Sequence, residues 1–218
     1  MLAPRNFAPP PVEWLDMFLR SSHRRQYPAK TTIVHNGDES ETLFYVVDGS
    51  VSVVTEGPDE NKEIVLAYLH AGDFFGEMGL FDTEAKRSAW VVARTKCEVA
   101  EMNYDQFRRL AADQPELLYA LTKQMATRLR KTSSKVGDMV FLDVKQRVAV
   151  TLLDLAHMPD AITHPDGMQI RITRQEIARI VGCSREMVGR VLKELQEPDQ
   201  GEPQIHAKGK TMVIYGTR

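Results

Sequence analysis

Near Asn103 the apolar residues change their spacing, and that change fixes the class of fold this 218-residue chain can adopt. Before it, residues 31–35, 43–47, 50–54, 63–69, 89–93 and 98–102 form short runs rich in Val, Ile, Leu and Tyr. Between them stand the turn formers Asn36-Gly37-Asp38, Asp48-Gly49-Ser50, Gly57-Pro58-Asp59 and Gly72-Asp73. Asp48-Gly49 between two apolar runs is a hairpin signal, because both residues tolerate the positive φ that a tight hairpin needs. Strands this short, at this spacing, predict an antiparallel sandwich, roll or jelly roll rather than a parallel sheet. The mouth of such a container can take a small ligand.

After Asn103 the apolar steps are three and four, the helical period. Asn103 is the expected N-cap of a helix over 104–112, and Asp113 that of a longer helix from Pro115. Along the longer helix Leu118, Leu121, Met125, Leu129, Val136 and Met139 line up, with Thr132 inside the series. A seam of this length predicts contact with a second copy of the chain. Gly137 and Asp138 weaken the helix, so a hinge is expected over 137–143, with Asp143 capping a further helix over 144–157. The stretch MPDAITHPDG reads as a loop. Two short helices over 173–180 and 184–195 follow, then two strands, 204–206 and 211–215, around Lys208-Gly209-Lys210. The expected class is α+β. Its expected domains are a leader with the start of a first helix (1–26), a β-roll (27–113), a long dimerisation helix and hinge (114–142), and a winged helical domain (143–218).

The segment from Arg174 to Val191 meets the physical demands of a helix-turn-helix. Ala178 is small where two helices cross, and Gly182 stands four residues later, where the turn favours positive φ. Ile177, Val181, Cys183, Val188 and Val191 close the pair onto its domain, and Ser184 caps the second helix. That helix then presents Arg185, Glu186, Arg190 and Lys193. Arg pairs bidentately with guanine and Glu accepts from the cytosine amine, so these residues suit base edges of double-stranded DNA. Thr173, Arg174 and Gln175 suit phosphates, which fix register without reading sequence. The charge distribution agrees in sign. The net charge is −2, but residues 144–218 carry +2 and the first 143 carry −4.

In the β region, Gly76-Glu77-Met78-Gly79-Leu80 precedes Arg87-Ser88-Ala89-Trp90. Two glycines in a turn leave backbone N–H groups that can meet an anion, and Arg87 offers a fixed positive charge. Ser88 adds a hydroxyl, and Glu77 an acceptor suited to a ribose hydroxyl. By itself this pattern leaves a phosphate site and a common tight turn both open.

Together, GEMGLFDTEAKRSAW, TSSKVGDMVFLDV and RQEIARIVGCSREMVGRVLK resemble the cAMP receptor protein (catabolite activator) family of bacterial transcription regulators, from about Tyr27 to the closing YGTR. The resemblance implies a homodimer with an N-terminal cyclic-nucleotide-binding β-roll, a dimerisation helix and a C-terminal winged helix-turn-helix. It implies cAMP as effector, with Gly76, Glu77, Arg87 and Ser88 on the cyclic phosphate and ribose. Thr132 would meet the adenine, and Ser133 would reach it from the other subunit. It makes Arg185, Glu186 and Arg190 the base readers of a TGTGA-like half-site in a palindrome. It also implies contact with RNA polymerase through the loop 159–167, centred on Thr163. A second, basic patch of the family is kept in part at His23 and Arg25, while Gln106 stands where the family has a lysine. Ala67 replaces a pocket serine, and residues 197–203 are longer and richer in proline than the family's link to the wing. Cyclic di-GMP, or no effector, remains the alternative for the pocket.

Other classes fit poorly. The two cysteines, Cys97 and Cys183, form no CxxC pair, which excludes a cysteine-ligated zinc finger, a cluster held by this chain's thiols alone and a disulfide scaffold. Cys183 reads as a small core residue. The six histidines show no HExxH spacing, and no Walker loop or nucleophile elbow occurs, so no enzyme is expected. No apolar run approaches the ~20 residues of a membrane span. The start, MLAPRNFAPPPVEW, has no h-region and reads as a flexible leader. A reducing cytoplasm is the expected setting.

Overall fold

The computed structural model describes residues 13–57, 63–82 and 86–217. The leader before Glu13 and the Pro58-Asp59 half of one expected turn lie outside them. The chain forms two compact units, one built from the residues up to Val53 with Ala67–Leu129, the other from Val54–Leu66 with Arg130 onward.

Up to α2 (Tyr104–Asp113) the chain runs through α1 (Glu13–Ser21), β1 (His23–Tyr27), β2 (Thr32–Val34), β3 (Thr42–Asp48), β4 (Ser50–Glu56), β5 (Glu63–His70), β6 (Phe74–Phe75), β7 (Trp90–Ala93) and β8 (Cys97–Asn103), all in the first unit save the end of β4 from Val54 and the start of β5 to Leu66. The strands make two four-stranded sheets, ordered β1-β8-β3-β6 and β2-β7-β4-β5. The β1–β8, β3–β8, β3–β6 and β2–β7 pairs are antiparallel, as short strands joined by tight turns dictate. Val34, Phe44, Val46, Val51, Leu69, Phe75, Val91 and Val99 fill one core between them. A second core, on the other side of β3 and β8, joins Phe18, Leu43, Tyr45, Phe74, Met102 and Phe107 to Leu117 and Leu121 of α3 (Pro115–Phe141).

Five expectations change here. Strand β1 was not foreseen, because HRRQ is polar and exposed; it is held by register against β8, from His23 opposite Glu101 to Tyr27 opposite Cys97. Nor was β6, which is only two residues long. Asn103 caps α2 as expected, accepting from the Gln106 amide, but Asp113 lies inside that helix, and the Gln114 carbonyl accepts from Leu117 at the start of α3. Gly137 and Asp138 do not interrupt α3, which runs to Phe141, so the break falls at Leu142 and Asp143. A single glycine costs only about 1 kcal/mol in a helix interior, and a helix this long absorbs it. Finally, the seam read along α3 is two faces. Leu117 and Leu121 are fully buried against the roll, whereas Leu118, Leu129, Val136, Met139 and Val140 are exposed.

In the second unit α4 (Val144–Ala156) starts at a reciprocal capping box between Asp143 and Gln146. The stretch read as a loop, 158–167, contains β9 (Ile162–His164) and the turn that pairs it with β10 (Gly167–Arg171). Then come α5 (Arg174–Val181), α6 (Arg185–Gln196), β11 (Ile205–Lys208) and β12 (Thr211–Tyr215). One sheet in the order β11-β12-β10-β9 backs the three helices, and Val148, Leu152, Ile177, Val188, Leu192 and Met212 are buried in this unit. Within it, Arg179 of α5 pairs with Glu63 at 2.9 Å, and Lys135 donates to the Leu66 carbonyl at 3.1 Å.

Candidate functional site: an arginine-glycine cradle and a helix-turn-helix

The first site grows from β6. Gly76 follows it with φ +75, and a Cβ there would lie 2.6 Å from Nη1 of Arg87 and 3.0 Å from the Phe44 ring. Only glycine lets the chain turn while the arginine passes this close. A Cβ on Gly79 would run into the Ser40 side chain and meet the Tyr104 hydroxyl at 2.8 Å. Both glycines therefore exist for what packs behind them.

Arg87 is 8% exposed. Its Nη1 donates to the Gly76 carbonyl (3.1 Å) and the Tyr104 hydroxyl (3.2 Å), and its Nη2 donates to the Thr42 carbonyl (2.8 Å). The guanidinium lies 5.2 Å from the centre of the Phe44 ring, which stacks in turn on Phe75 at 4.8 Å. Among the described residues its acceptors are two carbonyls and a hydroxyl, none of them charged. A buried cation left so is expensive unless an anion completes it. Ser88, next to it, is exposed.

Glu77 faces a different partner. It is buried, and its carboxylate accepts from Nη1 of Arg128 at 3.1 Å. Arg128 also donates to the Phe74 carbonyl. One turn earlier on α3, the Gln124 side chain accepts from the Phe74 amide (2.9 Å) and donates to the Gly72 carbonyl (2.8 Å). Two side chains of α3 thus pair with the edge of β6 as a neighbouring strand would, and the glycine loop is tied to that helix. Sequence reasoning missed Ser40, Tyr104, Gln124 and Arg128. The helical spacing of Gln124 and Arg128, four apart on the roll-facing side of α3, was the available signal. Thr132 and Ser133 are exposed, and Thr132 shares the face of Leu129 and Val136.

The second site matches its expected geometry. Thr173 caps α5 in a capping box with Glu176. Gly182 takes φ +73, and its amide and that of Cys183 both donate to the Ala178 carbonyl. This is the left-handed C-cap that ends one helix and aims the next. Ser184 then accepts from the Met187 amide at 3.2 Å and starts α6. Arg174, Gln175, Arg185, Glu186, Arg190 and Lys193 are all exposed. Glu186, Arg190 and Lys193 are four and then three residues apart, which puts them on one face of α6, with Arg185 at its flank. Hydrogen bonds from its own amide and from Ser184 hold the Glu186 carboxyl below its ordinary pKa, so it is ionised at neutral pH. Cys183 is half-buried rather than fully buried, and burial pushes its thiol up, as suits a packing residue. No group of three or more His, Cys, Asp or Glu that could hold a metal occurs among the described residues, and none of their helices is long and apolar enough to cross a membrane.

Known proteins are similar to this chain in sequence and structure. The cyclic nucleotide-binding domain model matches residues 24–114, and that of bacterial regulatory proteins of the crp family matches residues 170–198. The cAMP-activated global transcriptional regulator Vfr of Pseudomonas aeruginosa is 59% identical over 212 residues, spanning 96% of this chain and 97% of that protein. The cAMP-activated global transcriptional regulator CRP of Salmonella typhimurium is 55% identical over 209 residues, spanning 96% of each. Among solved structures, the c-di-GMP responsive global regulator CLP of Xanthomonas campestris aligns with a TM-score of 0.85 at 46% identity, covering 94% of this chain and 99% of that one.

Proposed function

The chain belongs to the crp family of bacterial regulatory proteins, and from that membership we propose that it is a cAMP-activated, sequence-specific DNA-binding regulator of transcription, working in the cytoplasm as a homodimer. The observation that carries the effector is Arg87, a buried guanidinium whose partners among the described residues are all uncharged. A cyclic phosphate supplies the missing negative charge, with Gly76 and Ser88 beside it and Glu77 on the ribose. Thr132 meets the adenine, together with Ser133 of the partner subunit, so that one ligand touches both helices of the dimer seam. Support for a seam comes from the exposed apolar residues of α3, which a solitary helix would leave in water.

Activation is an equilibrium between two arrangements of the dimer. cAMP shifts it by binding the DNA-competent one more tightly, and by no more than that difference in affinity. In that arrangement the two α6 helices enter successive major grooves about one helical turn, ~34 Å, apart on a TGTGA-like palindrome. Arg185, Glu186 and Arg190 read base edges, Lys193 extends their face, and Thr173, Arg174, Gln175 and Ser184 hold phosphates. The hairpin around Thr163, which is exposed, is the surface offered to RNA polymerase.

A gel shift on such a duplex, with and without cAMP, for the wild type and Arg87→Leu, tests this reading. cAMP should tighten the wild-type complex and leave the variant unchanged. Equal binding without nucleotide would retain the DNA assignment and reject the effector. Cyclic di-GMP is the parallel arm, because the similar CLP structure is of a c-di-GMP responsive regulator. A response to it alone would replace cAMP in the scheme.

A further inference from the structure

Behind the glycine loop lies a pair of hydroxyls that the ligand chemistry does not itself require. Tyr104 is the first residue of α2 and Ser40 lies just before β3; they are 6% and 3% exposed, and their oxygens are 2.6 Å apart. The Tyr104 oxygen also lies within hydrogen-bonding distance of the Gly76 carbonyl and of Nη1 of Arg87. Counting protons settles the directions. A carbonyl and a guanidinium have fixed roles, acceptor and donor, and a phenol has one proton to give. Tyr104 therefore donates to Gly76 and accepts from Arg87, and the Ser40 hydroxyl must donate to Tyr104. The Ser40 hydroxyl depends on Tyr104 for this acceptor, while Gly76 and Arg87 each keep a further partner without it.

The same count applied to Arg87 shows what the chain achieves. Of the five N–H groups of a guanidinium, both on Nη1 are taken, by Gly76 and Tyr104, and one on Nη2 is taken by Thr42. Among the described residues, Nε–H and one N–H of Nη2 are left without an acceptor, and with the Thr42 carbonyl on the Nη2 hydrogen that faces Nη1 they make a fork that matches two oxygens of a phosphate. Without Tyr104, one N–H of Nη1 loses its acceptor, and the plane of the guanidinium loses one of three points that fix it.

Resting on the cAMP reading above, we propose that the Ser40–Tyr104 hydroxyl pair is a positioning element that holds Arg87 with its free fork turned toward the cyclic phosphate. Neither residue touches the ligand. The pair acts through Arg87 and through the Gly76 carbonyl that Arg87 shares with Tyr104.

Calorimetric titration of cAMP into the full-length wild type, Tyr104→Phe, Ser40→Ala and the double variant tests it. Tyr104→Phe should weaken cAMP about tenfold, since it frees Arg87 from the hydroxyl that holds its Nη1. Ser40→Ala alone should weaken it by about threefold. In the Tyr104→Phe background, Ser40→Ala should cost nothing further, because the hydroxyl it removes has already lost its acceptor. A general loosening of the fold would weaken every ligand alike. The two phosphorothioate diastereomers of cAMP, each with one exocyclic oxygen replaced by sulfur, separate that case. Tyr104→Phe should change the ratio of their affinities by severalfold, while the melting temperature of the ligand-free protein reports the fold. If Tyr104→Phe does not fold, the same ratio measured for Ser40→Ala decides. Variants that bind cAMP as the wild type does, or that weaken both diastereomers equally, overturn the positioning role and leave the cAMP reading intact. A wild type that does not bind cAMP overturns both.

Discussion

Nη1 of Arg128 donates to the Glu77 carboxylate at 3.1 Å, so α3 and the glycine loop share one ion pair whose side chains are 23% and 12% exposed. At that burial a charged hydrogen bond is worth about 1.5–3 kcal/mol, and removing one partner also strands the other. Arg128→Met should therefore lower the urea midpoint by that order and weaken cAMP, because Glu77 would turn away from the loop. Adding Glu77→Gln should recover part of the stability by removing the stranded charge, without restoring the nucleotide. Recovery of neither would mean that Arg128 serves mainly through its bond to the Phe74 carbonyl.

Two glycines with nearly the same φ should respond differently to alanine. Gly182 (φ +73) has nothing within 4 Å of an added Cβ, so Gly182→Ala meets only left-handed strain, about 1–2 kcal/mol. Gly182→Asn should cost less, since asparagine tolerates that region. Gly76 (φ +75) has the same strain plus Arg87 and Phe44 in the way. Gly76→Ala should abolish nucleotide binding in calorimetry, while Gly182→Ala should leave it untouched and weaken DNA.

This contrast also shows what was legible in the sequence. Gly182 was placed by a local rule, since a helix-to-helix turn demands positive φ wherever it occurs. The same is true of the Asn103, Asp143 and Ser184 caps, which need only the residues beside them. The need at Gly76 arises from Phe44, Thr42 and Arg87, which are distant in sequence and meet only after β3 and β6 pair. Periodicity likewise reported that α3 carries apolar residues at helical spacing but not how many partners it has. Two faces, one against the roll and one exposed, overlap in the same three-and-four count. Ser40 and Tyr104 carried no signal at all, because a buried hydroxyl pair looks like any polar residue beside a turn.

Helix α6 should keep its charge pattern across physiological pH. Glu186 has a folded pKa below its ordinary 4.5, so what its ionised form contributes is complete above that value and is lost only as pH falls through the lower, folded one. An NMR titration of the Glu186 side chain should find no proton uptake between about pH 6 and 8. Ser184→Ala should move its midpoint upward. A midpoint near neutrality would remove Glu186 as a fixed acceptor for cytosine.

Cys183 supplies a check on the turn itself. Its thiol is raised by burial against a smaller opposing effect of Arg147. At neutral pH it should react with a thiol reagent many times more slowly in the native protein than in urea. Fast labelling of the native protein would show that the segment between α5 and α6 opens readily, and the capped geometry around Gly182 would then not be the resting one.

Leu121 and Leu129 separate stability from self-association. Sequence periodicity placed both on one seam, yet Leu121 is 0% exposed in the core of the roll and Leu129 is 68% exposed. Leu121→Ala leaves a cavity beside Phe74 and Phe107 and should cost about 2–5 kcal/mol of unfolding free energy. Leu129→Glu removes little packing within the chain but sets two carboxylates against each other where the α3 helices of a dimer would meet. Sedimentation velocity should find the wild type and Leu121→Ala dimeric, and Leu129→Glu shifted toward monomer with its helical content unchanged. Because the scheme places the adenine between Thr132 and Ser133 of the partner subunit, the Leu129→Glu monomer should also bind cAMP more weakly. A monomer that kept full affinity would confine the nucleotide to one subunit. The exposed face of α3 would then be a dimer contact with no share in sensing.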